Sequence, residues 1–234
     1  MKLTYKNLIA DMMALANPVK AKLLAGFFKT GPGQYGAGDV FLGVMVPQSR
    51  DVAKNYTSLA LADLQKLLNS KIHEIRLAAL FVLLKKYQLV EDSKREVIIK
   101  FYLKNSKNIN NWDLVDLSAP KILGDYLLTR PRQILDELSK SESLWERRIA
   151  VLATFAFIKN NDFADALRLA KSLINDKHDL MHKAVGWMLR EIGKREKKVL
   201  LNFLNLNYKK MPRTMLRYAI EKFTAAERAK YLKK

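Results

Sequence analysis

Residues 112–116 read Trp-Asp-Leu-Val-Asp, and the register of this pentapeptide against four others decides the fold. Arg76-Leu-Ala-Ala-Leu80, Arg148-Ile-Ala-Val-Leu152, Lys183-Ala-Val-Gly-Trp187 and Arg213-Thr-Met-Leu-Arg217 align with it. Successive starts lie 36, 36, 35 and 30 residues apart. A repeat of this size in a helix-period sequence points to stacked helix pairs, each of which buries its apolar face only against its neighbours. Glycine (9) and proline (6) are scarce. The periodicity predicts helices over 4–15, 18–29, 58–69, 72–87, 92–105, 111–128, 131–139, 142–159, 162–174, 177–192, 195–206 and 211–222. Pro47 can open one more. No segment reads as a strand. The expected architecture is all-α, an α-solenoid of HEAT-like helical repeats, with residues 1–234 as one domain.

Equivalent positions of a stacked solenoid line up along one surface. The first column reads Arg76, Trp112, Arg148, Lys183, Arg213, and the column four residues on reads Leu80, Asp116, Leu152, Trp187, Arg217. Cations interleaved with indoles suit a nucleic-acid backbone and its sugars or bases. Leu80 and Leu152 share a column with Asp116, so part of the strip is open to a core reading. Lys183, Trp187, Arg190 and Lys194 form one helical stripe, and a buried stripe would not carry three cations.

Working outward from residue 112, Trp112 and Asp116 lie one turn apart and point the same way. Asn110 and Asn111 can cap the helix start, and Asp116 sits where the helix dipole favours an ionised carboxylate. Pro120 lacks the N–H that would bond the carbonyl of residue 116, so the helix should bend or stop beside Asp116. The commonplace alternative is an aspartate at a helix start and a tryptophan on a core face.

Composition narrows the function class. Lys and Arg number 42 against 23 Asp and Glu, a formal charge of +19, which draws a protein towards a polyanion. From Arg190 onward there are 14 basic and 4 acidic residues. Absence of cysteine excludes disulfides, thiolate zinc sites and cysteine nucleophiles. The longest nearly apolar run, Ile149 to Ile158, is too short for the roughly 20 residues that span a bilayer. A cytoplasmic protein is expected, without membrane contact. The stretch Gly31-Pro-Gly-Gln-Tyr-Gly-Ala-Gly38 is a loop that lacks the P-loop ending and the dinucleotide spacing. A turn shaping the edge of a groove is its expected role. His178 and His182 are spaced for a metal but have no evident third ligand. No nucleophile elbow is present, and Asp113 and Asp116 point to different helix faces, which leaves one well-placed acid.

The blocks FLGVMVP (41–47), WDLVDLSAPKILGDYL (112–127), LWERRIAV (144–151), KAVGWMLREIGKR (183–195) and MPRTMLRYAIEKF (211–223) resemble the AlkD-type DNA alkylation repair glycosylases. The resemblance runs from about residue 20 to residue 223. It implies a HEAT-like repeat fold with a concave, positively charged groove for double-stranded DNA. It also implies excision of alkylated purines, chiefly cationic N3- and N7-alkyl bases, without a metal or organic cofactor. Separately, a monomer that meets the nucleoid through DNA is expected. The family's two tryptophans, aspartate and arginine fall on Trp112, Trp187, Asp116 and Arg148, with Arg147 adjacent to the last. Arg76, Arg147, Lys183, Arg190, Lys194, Arg213 and Arg217 are the expected DNA-binding cations. Two rival readings need fewer of these residues: a non-catalytic binder of damaged or branched DNA, and a protein-interaction scaffold, which is the usual task of such repeats.

Overall fold

The computed structural model describes residues 3–233. Among them the chain forms fourteen α-helices and no strand, an all-α helical-repeat fold. Val40 and Ile72 make one isolated bridge. The chain divides into two compact units, Met1–Ser118 and Ala119–Lys234.

The first unit holds α1 (Tyr5–Ala14), α2 (Pro18–Phe27), α3 (Val46–Lys54), α4 (Leu61–Leu68), α5 (His73–Leu89), α6 (Asp92–Lys104) and α7 (Trp112–Ser118). Thr4 and Asn7 close a reciprocal capping box at the start of α1, and Asn17 caps α2 ahead of Pro18. The core element is α5. Its first eleven residues, His73 to Leu83, are all buried, so this stretch has no solvent face, and α3, α4 and α7 pack around the helix. The register left open by the sequence resolves here, because Leu80 and Arg76 both belong to this buried helix.

The FLGV turn is built on α5. Glu74 is buried, and its carboxylate accepts from the backbone N–H groups of Leu42 (3.1 and 3.0 Å), Gly43 (2.8 Å) and Val44 (3.3 Å). A buried carboxylate without such donors would be strongly destabilising. Gly43 has φ 83°, and a Cβ there would lie 2.2 Å from the Asn17 carbonyl oxygen, so the turn requires glycine.

The second unit holds α8 (Ile134–Ser139), α9 (Leu144–Lys159), α10 (Ala164–Ser172), α11 (Asp179–Arg195), α12 (Lys197–Asn207), α13 (Arg213–Ala219) and α14 (Ala225–Leu232). Its core helix is α9, packed against α8, α10 and α11, while α11 packs in turn on α12 and α13. Leu152, like Leu80, is core.

The expected helix 111–128 is broken as Pro120 requires. It stops at Ser118, continues as a π turn over Pro120–Gly124 in which Gly124 N–H donates to the Ala119 carbonyl (2.9 Å), and ends in a 3-10 turn at Leu127–Thr129. The glycine-rich loop is a run of turns, with φ 74° at Gly33 and 89° at Gly38. Beyond the expected set, α14 is an added helix, opened by a Thr224–Glu227 capping box.

Candidate functional site

In the first unit the site residues sit on α7. Asn111 starts it unconventionally. Its Oδ1 accepts from the N–H of Trp112 (2.9 Å), and its amide nitrogen donates to Asp39 Oδ2 (3.2 Å). Trp112 is half-buried. Its ring stacks on Phe28 (centroids 5.0 Å, 16° between planes) and meets Phe27 edge-on (5.8 Å, 75°). Phe28 stacks in turn on Phe41 (5.1 Å), and Phe41 on the His73 imidazole (4.6 Å). One turn after Trp112, Asp116 is also half-buried, whereas Leu114, Val115 and Ser118 face the core. Below, the buried Tyr102 hydroxyl shares a 2.9 Å hydrogen bond with Ser118 Oγ. Burial pushes the Tyr102 phenol well above its ordinary value; the Ser118 bond opposes this and the nearby Asp116 charge adds to it. Tyr102 therefore keeps its proton and is no candidate base.

Asp113 faces inward, as the helical spacing predicts, and its side chain is buried. Its Oδ2 lies 2.8 Å from His73 Nε2, while His73 Nδ1 lies 3.2 Å from Asp39 Oδ2. Arg76 joins the same cluster, donating to Asp39 Oδ1 (2.7 Å) and to the Ser70 carbonyl (2.9 Å). At 3% exposure Arg76 is a core ion-pair partner, which corrects the expectation of a groove cation. The signals for this cluster in the sequence were weak. His73 is a lone histidine, and Asp39, Phe28 and Phe41 flank a loop with no recognised chemistry.

The exposed side of α2 leads to the same indole. None of its residues is buried, and Val19 (74% exposed), Leu23 (68%) and Phe27 (63%) form an i, i+4, i+8 stripe that ends against Trp112. Lys20, Lys22 and Lys29 flank the stripe.

In the second unit α9 and α11 carry the remaining candidates. Arg148 on α9 is 4% exposed and donates to the Leu180 carbonyl (2.6 Å). Arg147 is half-buried, tied to Asp176 (2.7 Å) and to the carbonyls of Ser141 and Glu142 (both 2.8 Å). On α11 Trp187 is half-buried, 5.8 Å from the Phe155 ring, and its Nε1–H donates to Glu191 (3.2 Å). The cationic stripe is real but compensated. Lys183 pairs with Asp179 (2.8 Å), Lys194 with Glu191 (2.9 Å) and Arg190 with Glu221. Arg213, exposed, donates to the Leu232 carbonyl (2.5 Å), and Arg217 is exposed.

His178 and His182 have local partners. His178 Nδ1 accepts from the Leu180 N–H (3.1 Å) as a helix cap, and His182 Nε2 lies 2.5 Å from the Asp176 carbonyl. Among the described residues no group of three or more His, Cys, Asp or Glu could hold a metal ion. No helix among them is long and apolar enough to cross a membrane.

A family model described as DNA alkylation repair enzyme matches residues 8–223. A solved structure described as a predicted DNA alkylation repair enzyme from Enterococcus faecalis superposes with a TM-score of 0.71 at 16% identity, covering 90% of this chain and 97% of its own. The protein smu.31 from Streptococcus mutans UA159 superposes with a TM-score of 0.54 at 17% identity, covering 94% and 98%. At these identities the likeness to the two structures concerns the fold. No curated protein matches the sequence.

Proposed function

The chain belongs to the DNA alkylation repair enzyme family, and we propose that within it the protein is a glycosylase that hydrolyses the N-glycosidic bond of cationic N3- and N7-alkyl purines in double-stranded DNA. The observation that carries this reading is the pairing on α7 of a half-buried carboxylate, Asp116, with a half-buried indole, Trp112, one turn away.

The chemistry asks little of the protein. An N3- or N7-alkylated purine is positively charged, so when the C1′–N bond breaks the base leaves neutral with both electrons of that bond. The sugar is left as an oxocarbenium-like cation. What accelerates the step is negative charge held near C1′ before the reaction begins, because a preorganised charge needs no solvent rearrangement. Asp116 supplies that charge, orients the attacking water and takes its proton. Trp112, backed by Phe28 and edged by Phe27, offers an apolar π face to the sugar and excludes bulk water.

In the second unit the reading assigns the half-buried Trp187 an aromatic contact with DNA. Arg148 is as buried as Arg76 and spends its guanidinium on the Leu180 carbonyl, so it is assigned a supporting place behind the DNA-facing residues rather than a phosphate. Lys183, Arg190, Lys194, Arg213 and Arg217 are assigned the flanking phosphates, which fix register without reading sequence. Arg147 is held by three partners and takes a supporting place beside Arg148. Arg76 drops out of the DNA-facing set because it is buried. No step needs a metal or an organic cofactor.

The test is release of 7-methylguanine and 3-methyladenine from methylated duplex DNA by the purified chain. Asp116→Asn keeps the shape and removes the charge, so the single-turnover rate should fall by about 100-fold or more, with DNA affinity little changed. Release at the wild-type rate by the Asn variant would remove Asp116 from this role. Tight DNA binding with no release by wild type would make the protein a binder.

A further inference from the structure

Beneath α7 lies a buried set of charges that bond cleavage does not use. His73, the first residue of α5, is 1% exposed, and its two ring nitrogens face two different carboxylates. Nδ1 lies 3.2 Å from Asp39 Oδ2 and Nε2 lies 2.8 Å from Asp113 Oδ2. An ionised carboxylate only accepts hydrogen bonds, and a neutral imidazole has a single N–H. A neutral ring would therefore aim one lone pair at one of the two anions. Both contacts are attractive only if both nitrogens carry protons.

The surrounding groups agree with a charged ring. Asp39 is held ionised by further donors, Arg76 at Oδ1 (2.7 Å) and Asn111 at Oδ2 (3.2 Å). Asp113 accepts from the Leu114 N–H at Oδ1 (2.9 Å). With His73 protonated the cluster balances, two carboxylates against one guanidinium and one imidazolium, which is how buried charge is tolerated. The rings of Phe28 and Phe41 complete its surroundings. Glu74, the next residue, is turned to the backbone amides of residues 42–44. Burial alone would push the His73 imidazolium to lose its proton; the hydrogen bonds to Asp113 and Asp39 outweigh this and hold its pKa above the ordinary histidine value, with Arg76 opposing.

We propose that His73 is a doubly protonated clamp that fixes the first turn of α7, and with it the placement of Trp112 and Asp116, as a positioning residue for base excision. The inference rests on the reading of Trp112 and Asp116 as the site. The connection is short. Asp113 lies between those two residues in sequence, and Asn111, which precedes Trp112, is tied to the same Asp39 carboxylate. When His73 loses a proton, one of its contacts turns repulsive and the start of α7 loses a fixed point.

The experiment uses the full chain labelled with 15N in its histidine rings and tryptophan indoles, titrated from about pH 6 to about pH 9. His73 is expected to show both ring nitrogens protonated at the acid end, and the Trp112 indole signal is expected to move with the His73 titration. The single-turnover rate on methylated DNA should fall through the same pH range, without a matching loss of DNA affinity. Asp113→Asn is the control. Its amide can donate to Nε2 while Nδ1–H donates to Asp39, so a neutral ring is accommodated and the alkaline fall in rate should vanish. Should His73 hold its proton throughout the range, His73→Gln gives the decision. A roughly 10-fold slower rate at unchanged DNA affinity supports the clamp, and an unchanged rate overturns it. A neutral His73 tautomer at the acid end overturns the clamp whatever the activity. A titrating His73 that leaves both the Trp112 signal and the rate unmoved overturns the positioning role. If wild type releases no base, the glycosylase reading fails by itself, while the ring and indole signals still decide whether His73 holds α7.

Discussion

The pKa values of Asp39 and His73 are shifted in opposite directions within one buried cluster, and together they set a pH window for stability. Burial would raise the Asp39 carboxyl, but the His73 hydrogen bond, the Arg76 charge and the Asn111 amide hold it below its ordinary value. Such a group stabilises the fold above the ordinary aspartate pKa of about 4 and loses that contribution as the pH falls through its depressed value. His73 is raised, so its contribution is complete below the ordinary histidine value of about 6.5 and is lost as the pH rises through the raised one. The urea midpoint of the wild type is therefore expected to be level from about pH 4 to about pH 6.5 and to decline on the alkaline side. In Asp113→Asn the alkaline decline should be absent, because a neutral ring then has a donor facing Nε2. A wild-type midpoint that stays flat into alkaline solution would show that folding does not depend on a charged His73. At this scale the sequence was only partly legible. Trp112 and Asp116 are four residues apart, and helical geometry alone places them together. The partners of His73 lie 34 and 40 residues away, and Asn111 meets Asp39 across 72, distances that periodicity does not encode.

Among the helices, close approach at a glycine separates positions that look alike in sequence. Gly186 lies in α11, immediately before Trp187, and Gly26 near the end of α2. A Cβ at Gly186 would sit 2.5 Å from both the Met215 carbonyl oxygen and Tyr218 Cβ, so α13 rests directly on this residue. A Cβ at Gly26 would meet nothing within 4 Å. Alanine improves a helix interior by about 1 kcal/mol over glycine, whereas forced overpacking costs about 1–3 kcal/mol. Gly26→Ala is thus expected to raise the thermal midpoint. Gly186→Ala is expected to lower it and to slow base release, since α13 must shift away from the helix carrying Trp187. Paired thermal melts check both signs, and equal shifts in one direction would show that α13 does not rest on Gly186. The helices up to residue 222 were readable, because α5 and α9 each carry a long buried apolar stretch, residues 77–83 and 149–158. Pro120 announced the end of α7 through its missing donor. The last helix, α14, lies beyond the apolar periodicity, although Thr224 and Glu227 carry the spacing of a capping box.

Charge is the property of the whole molecule that composition states most plainly and places least well. Residues up to Ser118 hold 17 basic and 10 acidic side chains, and those beyond hold 25 and 13, so both units are basic. Total charge does not say which cations face a partner. Arg76 is in the core with Asp39, Arg132 is joined to Asp162 (2.6 Å) and Asp165 (2.8 Å), and Arg168 is bonded to Asp165 (2.7 Å) and Asp136. Only the Arg76 pair is fully buried, since the Arg168 and Asp136 side chains are both 44% exposed, and each such pair takes one cation out of the count available to a partner. The salt dependence of DNA binding distinguishes the two kinds of cation, because each phosphate neutralised releases condensed counterions and adds about 0.9 to the slope of log affinity against log salt. Replacing exposed Arg217 by glutamine should lower that slope by about 1 with little effect on stability. Lys194→Gln should lower it less, since Glu191 already compensates Lys194. Arg76→Gln should leave the slope unchanged and instead lower the urea midpoint, because it strands the Asp39 carboxylate in the core. Fluorescence anisotropy on a labelled duplex at graded salt, under conditions where each variant is folded, gives the three slopes. Equal losses from Arg217 and Arg76 would mean that the buried arginine reaches DNA after all, and that the division between core and surface cations is wrong.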